Sequence, residues 1–339
     1  MDSYTLNLHT SDMKPKVFLT RELPPKAMER LRQETVLEVN PDDRILTKEE
    51  LIQGVKGKDG LLCLLTDQID DEVFSANPDL KVVANYAVGY DNIDVEAATR
   101  RGIPVSNTPG VLTEASADLA FALIMAAARR TAEADKFVRT GTWEGWGPLQ
   151  LLGVDVHGAT LGIIGLGRIG KAVLRRAKGF DMKICYWNRT RLSEQEERDM
   201  DLQYLPMDAL LQTADFVSLH VAFTPDTEHL IGVRELEMMK PEAILINTSR
   251  GAVVDEKALV RALKEGQIRG AGLDVYENEP KIEPELLEMD QVVLLPHLGS
   301  ATVATRTKMA MVAIDSLLAV LHGREASNLI NEEVYSQNR

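Results

Sequence analysis

Cysteine is almost absent from this 339-residue chain, since only Cys63 and Cys185 occur, both inside apolar runs. Neither shows metal-ligand spacing and two cysteines cannot build a disulfide framework, so we expect buried thiols in a reducing compartment. Long apolar runs are missing as well, because no stretch approaches the ~20 residues that span a bilayer. Residues 1–12 are polar and lack the apolar segment of a secretory signal. They predict a flexible leader on a cytoplasmic protein.

Positive charge is also scarce. The chain has 38 Lys and Arg against 52 Asp and Glu, which gives a formal net charge of −14 at pH 7. Because affinity for nucleic acids and anionic membranes rests on basic patches, this balance argues against both classes of partner. It does not exclude a small anionic ligand, which needs only a locally positive pocket. Apolar residues make up 45% of the chain, as in folded proteins, and its length predicts two domains.

What the sequence does contain is a repeated alternation of strand and helix patterns. Short apolar runs of four to six residues are typical of strands that are buried on both faces of a parallel sheet. The predicted strands are Val17–Thr20, Leu61–Leu65, Lys81–Asn85, Ala159–Ile164, Lys183–Trp187, Phe216–Leu219, Ala243–Ile246, Gly270–Val275 and Val292–Leu295. The pattern predicts an α/β protein with two Rossmann-like, parallel-sheet domains, one flavodoxin-like and one doubly wound and dinucleotide-binding.

Two longer segments predict helices with special positions. Thr113–Arg139 is alanine-rich and free of Gly and Pro, which predicts one long helix with Thr113 as its N-cap. Ala301–Leu321 follows the last predicted strand, and we expect this helix to pack back on the first domain.

A glycine-rich segment follows the strand Ala159–Ile164. Gly165, Leu166, Gly167, Arg168, Ile169 and Gly170 form a G-x-G-x-x-G pattern between that strand and an amphipathic helix. In this context the glycines let the backbone approach a pyrophosphate at a helix N-terminus. The alternative is a tight strand–helix turn that binds nothing.

The end of the next strand bears on which dinucleotide is bound. NAD-binding units carry an acidic residue there for the ribose 2′-hydroxyl, whereas this strand ends in Asn188, Arg189, Thr190 and Arg191. A carboxylate would repel a 2′-phosphate, and Arg189 with the Asn188 and Thr190 side chains can hold one. NADP(H) is therefore preferred and NAD(H) remains possible. The alternative is a loop with two solvated arginines.

Three polar segments end predicted strands in the second half of the chain, and they carry Arg250, Glu279 and His297. Ligands of open α/β sheets bind beyond the carboxyl ends of strands, so these residues are candidates for one crevice. Arg250 can bind an anion, Glu279 can raise the pKa of a neighbouring group, and His297 can carry a proton. Taken singly, the histidine is equally a satisfied structural residue and the glutamate a solvated loop residue.

At these residues the chain resembles the D-isomer-specific 2-hydroxyacid dehydrogenases, over nearly its whole length from Lys14 to about Val334. The glycine loop and the segments 247–251, 272–280 and 296–302 match family signatures in order and spacing. The segments 86–92 and 107–113 are similar to those of glyoxylate/hydroxypyruvate reductases. Formate dehydrogenases of the family, which transfer no proton, carry glutamine at the position of Glu279.

The resemblance implies a role for each matching residue. Arg250, Glu279 and His297 are expected to be catalytic, and the Val88 and Gly89 amides to meet the substrate carboxylate, with Leu65 as a further substrate contact. Trp146 is expected either to reach a neighbouring subunit's active site or to anchor a dimer interface, and both favour a homodimer. Expected cofactor contacts are the glycine loop, Asn188, Arg189, Thr190, Thr248, Ser249, Arg250, Asp274, His297, Leu298 and Gly299.

The expected function is NADPH-preferring reduction of small 2-keto acids, glyoxylate to glycolate and hydroxypyruvate to D-glycerate. The substrate-binding domain is predicted to comprise residues 13–108 and 300–334 and the NADP-binding domain residues 109–299, with the active site in the cleft between them. Two alternatives stay open: a D-lactate-type or other D-2-hydroxyacid dehydrogenase, and a dinucleotide-sensing corepressor.

Overall fold

The computed structural model describes residues 14–336, so the predicted leader lies outside the described residues. The chain divides into two compact units. Among the described residues, the outer unit consists of residues 14–111 and 302–336, the two ends of the chain, and the central unit is Leu112–Ala301. The domain boundaries expected from the sequence, after residues 108 and 299, lie within about three residues of these divisions.

Both sheets are built from short parallel strands. The strands are β1 Lys16–Leu19, β2 Val36–Val39, β3 Gly60–Cys63, β4 Val82–Asn85, β5 Val105–Ser106, β6 Thr160–Ile164, β7 Lys183–Trp187, β8 Gln203–Tyr204, β9 Phe216–Leu219, β10 Ile244–Asn247, β11 Gly270–Leu273 and β12 Val292–Leu294. The helices are α1 Pro25–Glu34, α2 Lys48–Val55, α3 Asp71–Ser75, α4 Val95–Arg100, α5 Thr113–Ala128, α6 Thr131–Arg139, α7 Arg168–Lys178, α8 Glu194–Met200, α9 Met207–Thr213, α10 Val233–Met238, α11 Glu256–Lys264, α12 Val303–Leu321 and α13 Glu333–Ser336.

The outer unit is a five-stranded sheet of order β2-β1-β3-β4-β5, the flavodoxin-like order. Strands β3 and β4 are buried at every residue, as their continuous apolar sequences predict. Helix α12 packs against β3, β4 and α1, so it belongs to this unit as expected. Its first turn is capped by the Thr302 hydroxyl, which accepts the Thr305 N–H at 3.1 Å.

The central unit is a seven-stranded sheet of order β12-β11-β10-β9-β6-β7-β8. Consecutive strands run outward in both directions from the β6–β9 pair, so this pair marks the topological switch point of a doubly wound sheet. Helix α5 packs on α7, β10 and β11 and shares with α7 and β10 a core rich in alanine, leucine and isoleucine side chains. The two parallel sheets confirm the predicted fold class. Among residues 14–336, no helix combines the length and apolar character that a membrane crossing requires.

The prediction of one helix over Thr113–Arg139 is wrong. Helix α5 ends at Ala128, and Arg130 adopts a left-handed conformation with φ 51° before α6 begins. The Arg130 guanidinium stabilises this turn through a bidentate pair with Glu133, both bonds 2.7 Å long. The N-cap prediction is also wrong, because Leu112 occupies that position and Thr113 is the first helical residue. The helix is therefore interrupted at a point where the sequence has neither glycine nor proline.

Candidate active site

The three predicted catalytic residues lie in the central unit, in the loops that follow the adjacent strands β10, β11 and β12. The His297 Nδ1 is 2.9 Å from Glu279 Oε2, and Glu279 Oε1 accepts the Tyr276 N–H at 3.0 Å. Burial favours a raised pKa for Glu279, but its bond to His297 and the charges of His297 and Arg250 hold that pKa below its ordinary value. The carboxylate therefore stays ionised, and its bond to Nδ1 leaves Nε2 of the imidazole for other contacts.

The His297 loop has an unusual backbone that a buried carboxylate stabilises. His297 has φ 56°, and its N–H donates to the Asp274 carbonyl at 2.9 Å. The Asp274 carboxylate accepts the Leu298 N–H at 2.6 Å and the Gly299 N–H at 2.8 Å. Burial raises the pKa of Asp274, and these N–H groups and the His297 charge act against that rise. Each Asp274 oxygen accepts a main-chain N–H, so this predicted cofactor contact also fixes the histidine loop.

A buried asparagine shapes the loop that presents Arg250. Asn247 Oδ1 accepts the Ser249 N–H at 3.0 Å and the Ser249 hydroxyl at 2.8 Å, and its Nδ2 donates to the Arg250 carbonyl at 2.9 Å. The next residue, Gly251, packs so closely on the Tyr276 backbone that any β-carbon would overlap it. The Thr248 hydroxyl is buried and has no hydrogen-bond partner among the described residues. A ligand that binds at this edge of the sheet can form a hydrogen bond with the Thr248 hydroxyl.

The three glycines of the loop after β6 have different environments. Gly165 has φ 95°, and a β-carbon there would lie 2.7 Å from the His220 carbonyl. A β-carbon at Gly170 would overlap the Gly165 carbonyl oxygen, so this glycine permits close packing of α7 on the loop. At Gly167, the N-cap of α7, a β-carbon would meet no atom within 4 Å. The open space at Gly167 and the exposed N–H groups at the start of α7 fit a dinucleotide pyrophosphate.

The loop after β7 is anchored at both ends. Asn188 Oδ1 accepts the Leu166 N–H at 2.6 Å, which joins the loop to the glycine loop. Arg191 is exposed but binds Glu197 through Nε at 2.8 Å and Nη2 at 2.7 Å, so its charge is already paired. Between these anchors Arg189 and Thr190 are exposed, and Arg189 forms no hydrogen bond or ion pair within residues 14–336. The loop thus leaves one arginine available for an anionic ligand.

Three of the other predicted substrate contacts, Leu65, Val88 and Gly89, lie in the outer unit. Leu65 follows β3, and Val88 and Gly89 follow β4, at the carboxyl edge of the five-stranded sheet. All three are partly exposed. The carbonyl groups of Val88 and Gly89 are bound by the Asn107 and Asn85 side chains, at 2.7 and 2.9 Å.

Comparison with known proteins identifies the family. Residues 121–299 match the family model described as D-isomer specific 2-hydroxyacid dehydrogenase, NAD binding domain. A glyoxylate reductase from Korarchaeum cryptofilum is 54% identical over 325 residues, which cover 95% of this chain and 97% of that protein. The chain belongs to the D-isomer-specific 2-hydroxyacid dehydrogenase family. It is therefore an oxidoreductase with a nicotinamide-dinucleotide-binding domain.

Solved structures of similar proteins agree with this family assignment. The TT0316 protein from Thermus thermophilus has a TM-score of 0.87 and 47% identity, covering 93% of this chain and 99% of its own. An NADPH-dependent glyoxylate/hydroxypyruvate reductase from Sinorhizobium meliloti, in complex with NADP and malonate, has a TM-score of 0.82 and 35% identity. That match covers 94% of this chain and 97% of the Sinorhizobium chain.

In this 2-hydroxyacid dehydrogenase the loop after α6 is rich in exposed apolar side chains. Trp146 is 84% exposed and Leu149 81%, and helix α6 has no buried residue. The expected contact of Trp146 with a neighbouring subunit stays a prediction.

The sequence analysis predicted the charged residues of the candidate site. It did not predict the asparagine residues whose side chains hold the loops of that site. Asn85 and Asn247 are the last residues of β4 and β10, Asn107 directly follows β5, and Asn85 and Asn247 are at most 1% exposed. A signal was available, because an asparagine that ends an otherwise apolar strand needs hydrogen-bond partners when it is buried. Such a residue is placed to bind the carbonyl groups of the loop that follows.

Proposed function

We propose that this chain reduces small 2-keto acids, glyoxylate to glycolate and hydroxypyruvate to D-glycerate, with a preference for NADPH. The observation that carries the proposal is the 2.9 Å His297–Glu279 pair, in loops of the same sheet edge as Arg250. A histidine–carboxylate pair beside a guanidinium is suited to giving a proton to a carbonyl oxygen as negative charge develops there. The name of the Korarchaeum relative, glyoxylate reductase, supports the choice of substrate.

His297 acts as the acid in reduction and the base in the reverse direction. Glu279 accepts from Nδ1 and fixes the orientation of the ring, so Nε2 is the nitrogen that gives its proton to the carbonyl oxygen. The reduced nicotinamide, when bound, supplies the hydride that adds to the carbonyl carbon. The keto group becomes a hydroxyl group once both have been transferred.

Arg250 binds and polarises the keto acid. A guanidinium can hold a carboxylate or a carbonyl oxygen by charge-assisted hydrogen bonds, and its attraction increases as the oxygen becomes negative. The main-chain amides of Val88 and Gly89 bind the substrate carboxylate, and Leu65 is a further substrate contact. Trp146 and Leu149, exposed on one loop, support a homodimer in which Trp146 limits substrate size.

The cofactor is held by main-chain and side-chain groups of the central unit. The open cradle at Gly167 accommodates the pyrophosphate, with Leu166, Arg168 and Ile169 around it. Thr248, Ser249, Asp274, Leu298 and Gly299 hold the nicotinamide end, and the buried hydroxyl of Thr248 supports this placement. Arg189 and Thr190 bind the 2′-phosphate, while Asn188 fixes their loop. The exposed, unpaired state of Arg189 supports the preference for NADPH.

The test is steady-state oxidation of NADPH and of NADH with glyoxylate, hydroxypyruvate and pyruvate in parallel. We expect fast turnover of the first two with NADPH and slower turnover with NADH. A preference for pyruvate or for bulkier keto acids would indicate a D-lactate-type dehydrogenase and overturn the substrate assignment. No turnover with any of them, together with dinucleotide binding, would favour a dinucleotide-sensing corepressor.

The cytoplasmic location stays a prediction.

A further inference from the structure

Three successive carbonyl groups in the loop after β4 are held by hydrogen bonds. The Ala87 carbonyl accepts the Thr108 N–H at 2.8 Å. The Val88 carbonyl accepts Asn107 Nδ2 at 2.7 Å, and the Gly89 carbonyl accepts Asn85 Nδ2 at 2.9 Å. Three consecutive peptide groups are therefore fixed in orientation.

The N–H groups of these same peptides are left without protein partners. In a trans peptide the N–H points opposite to the carbonyl, so the Val88, Gly89 and Tyr90 N–H groups point away from the groups that bind the carbonyls. None of the three donates a hydrogen bond to a group within residues 14–336. All three residues are partly exposed, Tyr90 by 47%. A run of unpaired N–H groups at the end of a strand is a place for an anion.

The two asparagine side chains that orient these peptides are themselves fixed. Asn85 is fully buried and also donates to Asn92 Oδ1 at 3.1 Å. Asn92 Nδ2 in turn donates to the Leu64 carbonyl at 3.1 Å. Asn107 exchanges two bonds with Asn328, since its N–H donates to the Asn328 carbonyl at 3.2 Å and its carbonyl accepts Asn328 Nδ2 at 2.8 Å.

We propose that Asn85 and Asn107 are positioning residues for the substrate carboxylate. By binding the Gly89 and Val88 carbonyls, they turn the main-chain N–H groups of Tyr90 and Gly89 towards that carboxylate. The Val88 N–H is oriented separately, because the Thr108 N–H holds the Ala87 carbonyl of the same peptide. The inference rests on the proposed function, because it assigns the anion to a keto acid. It extends the expected pair of amide donors to a third at Tyr90 and names the side chains that orient two of the three, at Gly89 and Tyr90.

Asparagine suits this role better than aspartate for two reasons. Its Nδ2 is a donor that a carbonyl oxygen can accept, whereas an ionised carboxylate has no donor and would repel that oxygen. A carboxylate would also add negative charge next to an anionic substrate. Asn→Asp keeps the shape of the side chain and removes both advantages, so it separates hydrogen bonding from space filling.

The experiment compares the single variants Asn85→Ala, Asn107→Ala and Asn107→Asp with the full-length wild-type protein. The matched control is Asn77→Ala: Asn77 is also buried in the outer unit and binds the Val55 and Lys58 carbonyls at 2.8 and 2.7 Å, before β4 begins. The measurements are kcat, the KM for glyoxylate and for NADPH, Tm, and the Kd of oxamate, an unreactive keto-acid analogue, measured calorimetrically with NADPH bound.

We expect the alanine variants to raise the glyoxylate KM and the oxamate Kd by roughly tenfold to a hundredfold, the size of effect that misplaced binding groups produce. Their kcat should change less and their NADPH KM hardly at all. Asn107→Asp should weaken oxamate binding more than Asn107→Ala does. Asn77→Ala should lower Tm by a comparable amount and leave the glyoxylate KM unchanged.

The positioning role is wrong if Asn85→Ala and Asn107→Ala lower Tm as the control does and keep wild-type KM and oxamate Kd. It is also wrong if Asn107→Asp binds oxamate as well as the wild type does, because space filling would then suffice. Failure of the proposed function is visible separately as absent glyoxylate turnover in the wild type. In that case, the anion site would still be supported if the wild type binds oxamate and the Asn85 and Asn107 variants do not. If the wild type does not bind oxamate, the anion site is wrong.

Discussion

The two units of this dehydrogenase present their functional groups in different ways. The proposed groups of the central unit are charged side chains: Glu279 is hydrogen-bonded to His297 at 2.9 Å, and the charge of Arg250 helps to lower the pKa of Glu279. The outer unit uses neutral main-chain N–H groups and has no ionisable side chain among its proposed substrate contacts. The action of the central-unit groups on a substrate therefore depends on their protonation state. The action of the outer-unit N–H groups depends on the conformation of their loop.

This difference predicts how each unit responds to mutation. Replacement of a proposed catalytic side chain of the central unit should lower kcat or kcat/KM. Removal of a loop anchor from the outer unit should change substrate affinity and leave the chemical step nearly intact. Four changes in the central unit follow, from the largest expected effect to the smallest: the first two test the first half of the comparison, and the last two test cofactor choice and stability.

His297→Gln should lower kcat by about 10²–10⁴, because a positioned acid–base group is lost. The matched control is His229→Gln, since His229 Nε2 lies 3.0 Å from Glu277 Oε1 in the same unit and is therefore another histidine–glutamate pair. Steady-state kinetics with saturating NADPH measure both variants. Equal activities of the His297 variant and the wild type would remove His297 from the proposed chemistry.

Arg250→Gln should lower kcat/KM for glyoxylate by roughly 10²-fold, because an oxyanion-stabilising charge is removed. Arg269→Gln is the control: Arg269 pairs with Glu242 and donates to the Leu152 carbonyl at 3.1 Å, next to the amino end of β11. We expect the control to keep its activity. Full activity of the Arg250 variant would mean that main-chain groups alone bind the keto acid.

Arg189→Ala should reduce the ratio of kcat/KM for NADPH to that for NADH by about tenfold, as expected for one charge-assisted contact to a phosphate. NADH kinetics should stay the same. Arg198→Ala controls for loss of a positive charge nearby, since Arg198 is exposed on α8 and pairs with Glu194. An unaltered ratio would leave Arg189 as a solvated loop residue.

Glu197→Gln should have the smallest effect, and one that depends on pH. The bonds from Arg191 and then from Tyr186 lower the pKa of Glu197 to about 2 in the folded protein. A lowered pKa stabilises the fold at pH values above the ordinary glutamate pKa, and that stabilisation is lost as the pH falls towards the folded-state value. The Tm difference between wild type and variant should therefore be constant above about pH 5 and shrink below it.

Glu194→Gln is the control for this pH dependence, because Glu194 is an exposed residue of the same helix. A Tm difference for Glu197→Gln that does not change between about pH 7 and pH 3 would contradict the ionic role of the Glu197–Arg191 pair.

The sequence predicted the central strands of both sheets well, and of the four edge strands it predicted only β12. Lys183–Trp187 and Phe216–Leu219 match β7 and β9 at both ends. The three strands without a prediction, β2, β5 and β8, are all edge strands of two to four residues. An edge strand has solvent along one side, so it lacks the apolar run that identifies a strand covered on both faces.

Prediction of the candidate site from the sequence is limited in a similar way. The charges of Arg250, Glu279 and His297 can be recognised in a sequence because each residue type has a chemistry of its own. The supporting bonds of Asn85, Asn107 and Asp274 depend on which loop follows which strand in space, and those of Asp274 hold the His297 loop with its positive φ. The left-handed turn at Arg130 is also not marked in the sequence, which has neither glycine nor proline there.

The course of the chain through the two units sets the order in which they can form during synthesis. Helix α12 covers β3 and β4, yet it follows the whole central unit in the sequence. A nascent outer sheet therefore exposes apolar strands while some 190 further residues emerge, and the central unit has all of its strands before that covering helix exists. The central unit is free to fold first, and the outer sheet is the part of the nascent protein most in need of protection from aggregation.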